Sequence, residues 1–182
     1  GSNYGAVFAG RHERCTVYLS EQVLAFRSQN HHATSEKEIH MTTDLAFEPY
    51  RMADIDLKNR IAMAPMTRSR ATAEGALATP LMAEYYAQRA GAGLIITEGI
   101  QPSAVGQGYT NTPGLHSAEQ VEAWKQVTTA VHEAGGVIFA QLMHAGRIGH
   151  RATLPEGMVP QGPSAVQPQG KIFTPQGLQE FE

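Results

Sequence analysis

Three short segments end in side chains that could grip one flat, hydrogen-bonding ligand. They are Ile61-Ala62-Met63-Ala64-Pro65-Met66-Thr67-Arg68, Leu94-Ile95-Ile96-Thr97-Glu98-Gly99 and Val137-Ile138-Phe139-Ala140-Gln141-Leu142. The amide of Gln141 carries a donor and an acceptor side by side, so it can pair two adjacent positions of a heterocycle. Its natural counterpart is a pyrimidine-type edge, which offers acceptor, donor and acceptor in a row. The Thr67 hydroxyl can donate to a ring oxygen and so favour an electron-rich, reduced ring. Ala64, Pro65 and Met66 let backbone approach a ring face, and Gly99 leaves room where a side chain would collide. Each residue also has a plainer reading. A glutamine that only satisfies neighbouring backbone fits the position of Gln141 equally well, and a threonine after a strand is usually a cap. His144 can donate to a substrate, although a lone histidine in a loop is more often structural. Taken together, the three segments point to a flavin.

Such groups act together only if a scaffold delivers them to one end. In an α/β barrel that end is the C-terminal rim of the strands. The segment Leu94–Thr97 is continuously apolar, as in a strand covered on both faces. Before it, Thr79-Pro80 predicts a helix start, with the threonine hydroxyl as cap and proline in the first turn. Leu81, Met82, Tyr85, Tyr86 and Arg89 follow at helical spacing, and Gly91 and Gly93 stop that helix. Ser117-Ala118-Glu119-Gln120 reads as a capping box. Val121, Trp124, Val127 and Val131 then mark one apolar stripe that ends at Gly135-Gly136, with Trp124 a packing residue. Upstream, Phe47–Met52 and Ile55–Arg60 predict a hairpin around Ala53-Asp54. Residues 146–182 are rich in Pro, Gly and Gln and read as a long loop with a hairpin. The resulting βαβαβ order suits a doubly wound sheet or the start of a (β/α)8 barrel. No G-x-G-x-x-G follows a strand, and Gly91-Ala92-Gly93 precedes the second one, so the dinucleotide fold loses. A hairpin placed to plug the N-terminal end favours the barrel.

The chain has 182 residues, 42% of them hydrophobic and 17% charged, which fits one globular domain. A net charge of -3 and the absence of a basic patch argue against a nucleic-acid partner, and Arg68 and Arg70 read as a solvated loop. The single cysteine, Cys15, cannot form an internal disulfide, which suits a reducing, cytoplasmic setting. No apolar run approaches the ~20 residues of a membrane helix, and the start lacks a signal-peptide pattern, so no membrane partner is expected. Residues 1–40 differ from the rest: they read as a leader or vector-derived extension outside the fold, with the domain running over 41–182. Val17-Tyr18-Leu19 and Val23-Leu24-Ala25-Phe26 there suit short elements. His31 and His32 have no third ligand at usable spacing, so no metal site is expected.

With those residues in place, the stretch from about Phe47 to Glu182 resembles the N-terminal part of an old yellow enzyme. That family of FMN-dependent NAD(P)H:ene reductases includes N-ethylmaleimide, xenobiotic and 12-oxophytodienoate reductases. The blocks that carry the likeness are Leu57-Lys58-Asn59-Arg60 running on through Arg68, Tyr85-Tyr86-Ala87-Gln88-Arg89-Ala90, Thr97-Glu98-Gly99, Gly108-Tyr109-Thr110-Asn111-Thr112-Pro113-Gly114, and Gln141-Leu142-Met143-His144-Ala145-Gly146-Arg147. The resemblance implies an α/β fold of the (β/α)8 TIM-barrel family, here the N-terminal hairpin and about the first three βα units. It implies non-covalent FMN, NAD(P)H as reductant, and hydride delivery to an activated alkene such as an enone, a maleimide or a nitro compound.

Cofactor-binding roles fall on Ala64, Pro65, Met66, Thr67, Gly99 and Gln141, with Thr67 tuning the flavin potential. Tyr109, Met143 and His144 fall in the substrate pocket. Met143 stands where the family usually has tryptophan, which softens that pocket. The loop Pro155–Pro175 resembles the family's capping hairpin, and the intact enzyme is expected to be a monomer or homodimer. The family's substrate-binding His/Asn pair, proton-donating tyrosine and phosphate loops would fall beyond Glu182, since such barrels take about 250 residues. The chain is therefore expected to be a truncated part that binds FMN poorly alone, with open parallel edges on its first and third strands. The alternative is a non-catalytic interaction or assembly piece.

Overall fold

The computed structural model describes residues 6–11, 14–19 and 44–181. Strands β1 (Ala6–Arg11) and β2 (Arg14–Leu19) form an antiparallel hairpin. A helical turn, α1 (Asp44–Phe47), leads into a second hairpin of β3 (Tyr50–Met52) and β4 (Ile55–Leu57). Then come β5 (Ala62–Met63), helix α2 (Pro80–Ala87), β6 (Leu94–Ile100), helix α3 (Ala118–Glu133) and β7 (Ile138–Leu142). A third hairpin, β8 (Lys171–Thr174) and β9 (Gly177–Glu180), closes the chain. The expected alternation is present: β5, β6 and β7 are neighbours in one sheet and run parallel, each joined to the next through a helix.

The two faces of that sheet bury different partners. Ile138 on β7 and Ile95 and Ile100 on β6 pack with Met82 and Tyr86 of α2 and Trp124, Val127 and Val131 of α3. Burying a valine or isoleucine in such a layer contributes about 1.5–3 kcal/mol. On the other face, Leu94 and Phe139 meet Leu57 and the flanking Tyr50, Met52 and Ile55 of the β3–β4 hairpin. That hairpin therefore plugs the N-terminal end of the strands, as its sequence position suggested. Gly93 makes the close approach possible, since a Cβ there would overlap the Asn59 carbonyl. Asn59 in turn holds both neighbouring turns, accepting from Ile61 N and donating to the Gly91 carbonyl.

Four details differ from the sequence reading. The first strand is only Ala62–Met63, because Ala64 to Thr67 leave the ladder. Thr79 does not cap α2: its hydroxyl donates to the Arg70 carbonyl at 3.0 Å and so ties the preceding loop down. The capping box at Ser117 is formed as expected, yet Val121 is 43% exposed while Gln120 and Ala123 face the core. Gln120 can be buried because its amide is paired, accepting from His116 N and Ser117 N and donating to the Gly75 carbonyl. Finally, the edge of β7 is not open. β1, from the stretch read as lying outside the fold, pairs with it antiparallel, Ala6 opposite Leu142 through Ala9 opposite Phe139. An unpaired strand edge offers a row of donors and acceptors, and a hairpin is a ready cover for it. Residues 23–26, His31 and His32 lie outside the described residues.

Candidate functional site

Strand polarity brings the expected residues to one end. After β5, Ala64, Pro65, Met66 and Thr67 run on as irregular backbone, with Ala64, Met66 and Thr67 exposed. Gly99 near the end of β6 is the register partner of Gln141 near the end of β7. The next residue of the first loop, Arg68, donates its backbone N–H to Glu98 Oε2 at 3.2 Å. Gly99 and Gln141 thus stand side by side at the C-terminal ends of β6 and β7, and the loop that carries Thr67 is tied to β6 through Arg68. The substrate-pocket candidates flank them. Met143 donates its N–H to the Ile100 carbonyl at 2.9 Å and lies against Gly99, where an added Cβ would stand 2.7 Å from its Cε. His144 is exposed, and its Nδ1 accepts the Gly146 N–H at 2.9 Å. Tyr109, 43% exposed, sits on the neighbouring loop, which is fastened by the Ala145 N–H donating to the Gly106 carbonyl.

A β-bulge decides which groups reach this end. Along β6, Ile95 and Ile96 pair with Ile138 and Phe139, but the next paired residue is Gly99, opposite Gln141. Thr97 and Glu98 therefore stand against Ala140 alone, two residues opposing one. Below the bulge Leu94 and Ile96 face the hairpin side and Ile95 the helices; above it Ile100 faces the helices and Gly99 meets Met143. Strict alternation would have put Glu98 on the ligand side and Gly99 under the helices, since a one-residue slip exchanges the faces. The extra residue turns the carboxylate away from the ligand side and turns the glycine toward it.

Both bulge residues are buried and bonded. The Thr97 hydroxyl accepts the Gln141 N–H at 3.0 Å and donates to the Glu98 carbonyl at 2.8 Å. The Tyr86 hydroxyl accepts the Glu98 N–H at 2.9 Å and donates to Glu98 Oε1 at 3.2 Å. Burial pushes the Glu98 carboxyl up from its usual range, against the Arg68 N–H, the Tyr86 hydroxyl and the Arg68 charge, which pull it down. Burial likewise pushes the Tyr86 phenol well above its usual value, so it stays a neutral donor. Outside the sheet, the Arg68 and Arg89 guanidinium groups stand 5.0 and 3.6 Å from the Tyr85 ring centre. The sequence reading assigned Gly99 but passed over Thr97 and Glu98. Their signal was a threonine and a carboxylate inside an otherwise apolar strand, where an uncompensated charge does not survive burial.

Polar groups gathered at the C-terminal ends of parallel strands, helices on one face and a hairpin plug at the other end define part of a (β/α)8 barrel. Residues 45–180 match the NADH:flavin oxidoreductase / NADH oxidase family, and the chain belongs to that family, the one containing the old yellow enzymes. It is 46% identical over 115 residues to 12-oxophytodienoate reductase 7 of Oryza sativa subsp. japonica, covering 63% of this chain and 29% of that protein. Among solved structures, an old yellow enzyme homologue from Zymomonas mobilis superposes with a TM-score of 0.71 at 49% identity, over 75% of this chain and 38% of that one. Morphinone reductase in complex with tetrahydroNAD superposes with a TM-score of 0.69 at 38% identity, over 75% and 39% of the respective chains. The family's cofactor is FMN and its reductant a nicotinamide nucleotide. The chain spans 29% to 41% of the length of such relatives.

Proposed function

We propose that this chain supplies the ring-binding floor of an FMN site in an enzyme that moves hydride from NAD(P)H to an activated alkene. The observation that supports the reading is the pairing of Gly99 with Gln141 at the ends of β6 and β7, with the Ala64–Arg68 loop tied beside them to Glu98. The residues present fit the group. Gln141 offers adjacent donor and acceptor, Thr67 an exposed hydroxyl, and the irregular backbone of Ala64 to Met66 can lie along a ring face. The buried Glu98 carboxylate is turned to Tyr86 and the Arg68 N–H, so its charge does not face an electron-rich ring edge.

When bound, FMN supplies a ring that accepts and returns hydride. The protein's part is orientation and electrostatics. Gln141 would hold one edge of the ring through its amide, and the Thr67 hydroxyl would donate to a ring oxygen. His144 completes the substrate side. Its Nδ1 accepts the Gly146 N–H, which leaves Nε2 as the ring nitrogen that would donate to a substrate carbonyl or nitro oxygen. Met143, unbranched and polarizable, gives an adaptable wall for enones or maleimides of different shape.

The test is a titration of the 182-residue chain with FMN, followed through the flavin absorbance in the near ultraviolet and blue. A weak but saturable spectral shift, reached only at high FMN, is the expected result; difference spectra that stay flat even there overturn the reading. A second reading, an assembly piece without turnover, draws on the exposure of Met66 (44%) at the floor itself. It is a piece unable to bind FMN alone, and it is preferred if those spectra stay flat.

A further inference from the structure

We propose that Thr97 and Glu98 are positioning residues for the flavin floor: the bulge hooks Gln141 through the Thr97 hydroxyl and the Ala64–Arg68 loop through the Glu98 carboxylate. The inference deepens the FMN reading and rests on it. At a bulge the ladder loses a rung, and a strand-end N–H left without a partner in a buried place costs about as much as a broken hydrogen bond. The Gln141 N–H is at that rung, and it finds Thr97 Oγ1 at 3.0 Å in place of a backbone carbonyl. The same hydroxyl spends its proton on the Glu98 carbonyl, so its remaining lone-pair side is committed to Gln141 and the backbone angle of β7 is set there.

Glu98 does the equivalent for the first loop. β5 stops at Met63, and no ladder holds the following residues. The Arg68 N–H bonded to Glu98 Oε2 at 3.2 Å fixes the residue next to Thr67 against β6. The carboxylate is itself held from the helix layer, because the Tyr86 hydroxyl bridges its Oε1 and its own backbone N–H. A fully buried carboxylate, 0% exposed, is a costly way to tie down one loop. Its use is specific: the group presents one oxygen to Arg68 and the other to Tyr86, so it bonds both at once and in fixed directions. The chain from α2 through Tyr86 and Glu98 to Arg68 thus passes the rigidity of the packed helix face to the loop that presents Thr67.

Amide hydrogen exchange and FMN titration of the 182-residue chain test this, with variants paired to conservative rescues: Thr97→Val with Thr97→Ser, and Glu98→Ala with Glu98→Gln. Serine keeps the hydroxyl, and glutamine keeps an acceptor for Arg68 with its amide toward the Tyr86 oxygen. Thr97→Val is expected to speed exchange at Gln141, and Glu98→Ala at Arg68, each by ~10-fold or more, the measure of losing one such bond. FMN affinity is expected to fall by ~10-fold in both, with the global unfolding midpoint of Thr97→Val little changed. The rescues are expected to restore both readouts.

Unaltered exchange at the two amides would falsify the hooks. Faster exchange with unaltered FMN affinity would leave the hooks and remove their role in the site. If Glu98→Ala fails to fold, the Thr97 pair and Glu98→Gln alone decide, since a glutamine variant with lost Arg68 protection also overturns the assignment. A parent chain that takes up no FMN defeats the flavin reading itself, and that result is distinct from variants that bind as well as the parent.

Discussion

Toward α2 and α3 the parallel sheet is dry: Tyr86, Ile95, Ile100, Val127 and Val131 are fully buried there. On the opposite face Leu94 and Phe139, at the lower end, meet the β3–β4 hairpin. Above them Gln141 and Met143 stay half-buried and Met66 keeps 44% of its surface. The contrast separates two duties. Apolar area removed from water is concentrated where no chemistry is needed, and hydrogen-bonding groups are left accessible where a ligand would sit. The bulge is the hinge of this division, since it reverses which β6 residues look each way.

The largest expected effect breaks the helix face. Trp124→Ala removes a buried indole that packs 6.3 Å from the Tyr86 ring centre, together with its N–H bond to the Gly114 carbonyl. A loss of about 3–5 kcal/mol in urea unfolding is expected. A loss under about 1 kcal/mol would show that this face does not carry the fold. The second perturbation is the mirror image. Gln141→Leu is expected to weaken FMN binding by about 1–3 kcal/mol, the cost of leaving ring polar atoms unpaired, while the unfolding midpoint moves little. If stability drops as far as affinity does, the two faces are not separate in function and the comparison fails.

Much of this arrangement was legible in residue types. The Ser117 capping box, the Trp124–Val127–Val131 side of α3 and the strand ends at Gly99 and Gln141 follow from local pattern and are present. What was not legible depends on partners distant in sequence. Leu94–Ile96 reads the same with or without a bulge, because both faces of β6 are buried; only pairing with β7 reveals the slip. Gln120 passes for a surface residue until its partners at His116, Ser117 and Gly75 are known, so of the stripe only the first position, Val121, misses the core. The pairing of β1 with β7 was hidden for the same reason. An edge recruits a hairpin through backbone groups, which carry no side-chain signature.

Glu98 offers the smallest and most specific perturbation, because burial and its hydrogen-bonding partners act on it in opposite directions. Burial raises its pKa, while the Arg68 N–H, the Tyr86 hydroxyl and the Arg68 charge lower it, and burial wins. A carboxyl whose folded value lies above its ordinary 4.5 holds a proton in the native state that the unfolded chain has already released. Its contribution to stability is therefore complete below that ordinary value and is lost as pH rises through the folded one. Other carboxylates slope the opposite way wherever they are ion-paired, so the informative quantity is the difference between parent and Glu98→Gln. Glutamine has no proton to lose. Urea midpoints of the two proteins, compared from acidic to neutral pH, are expected to diverge in the variant's favour as pH rises through that window. Parallel profiles would mean that Glu98 keeps its charge at no cost, and that the helix face is less dry at the bulge than the burial of Tyr86 implies.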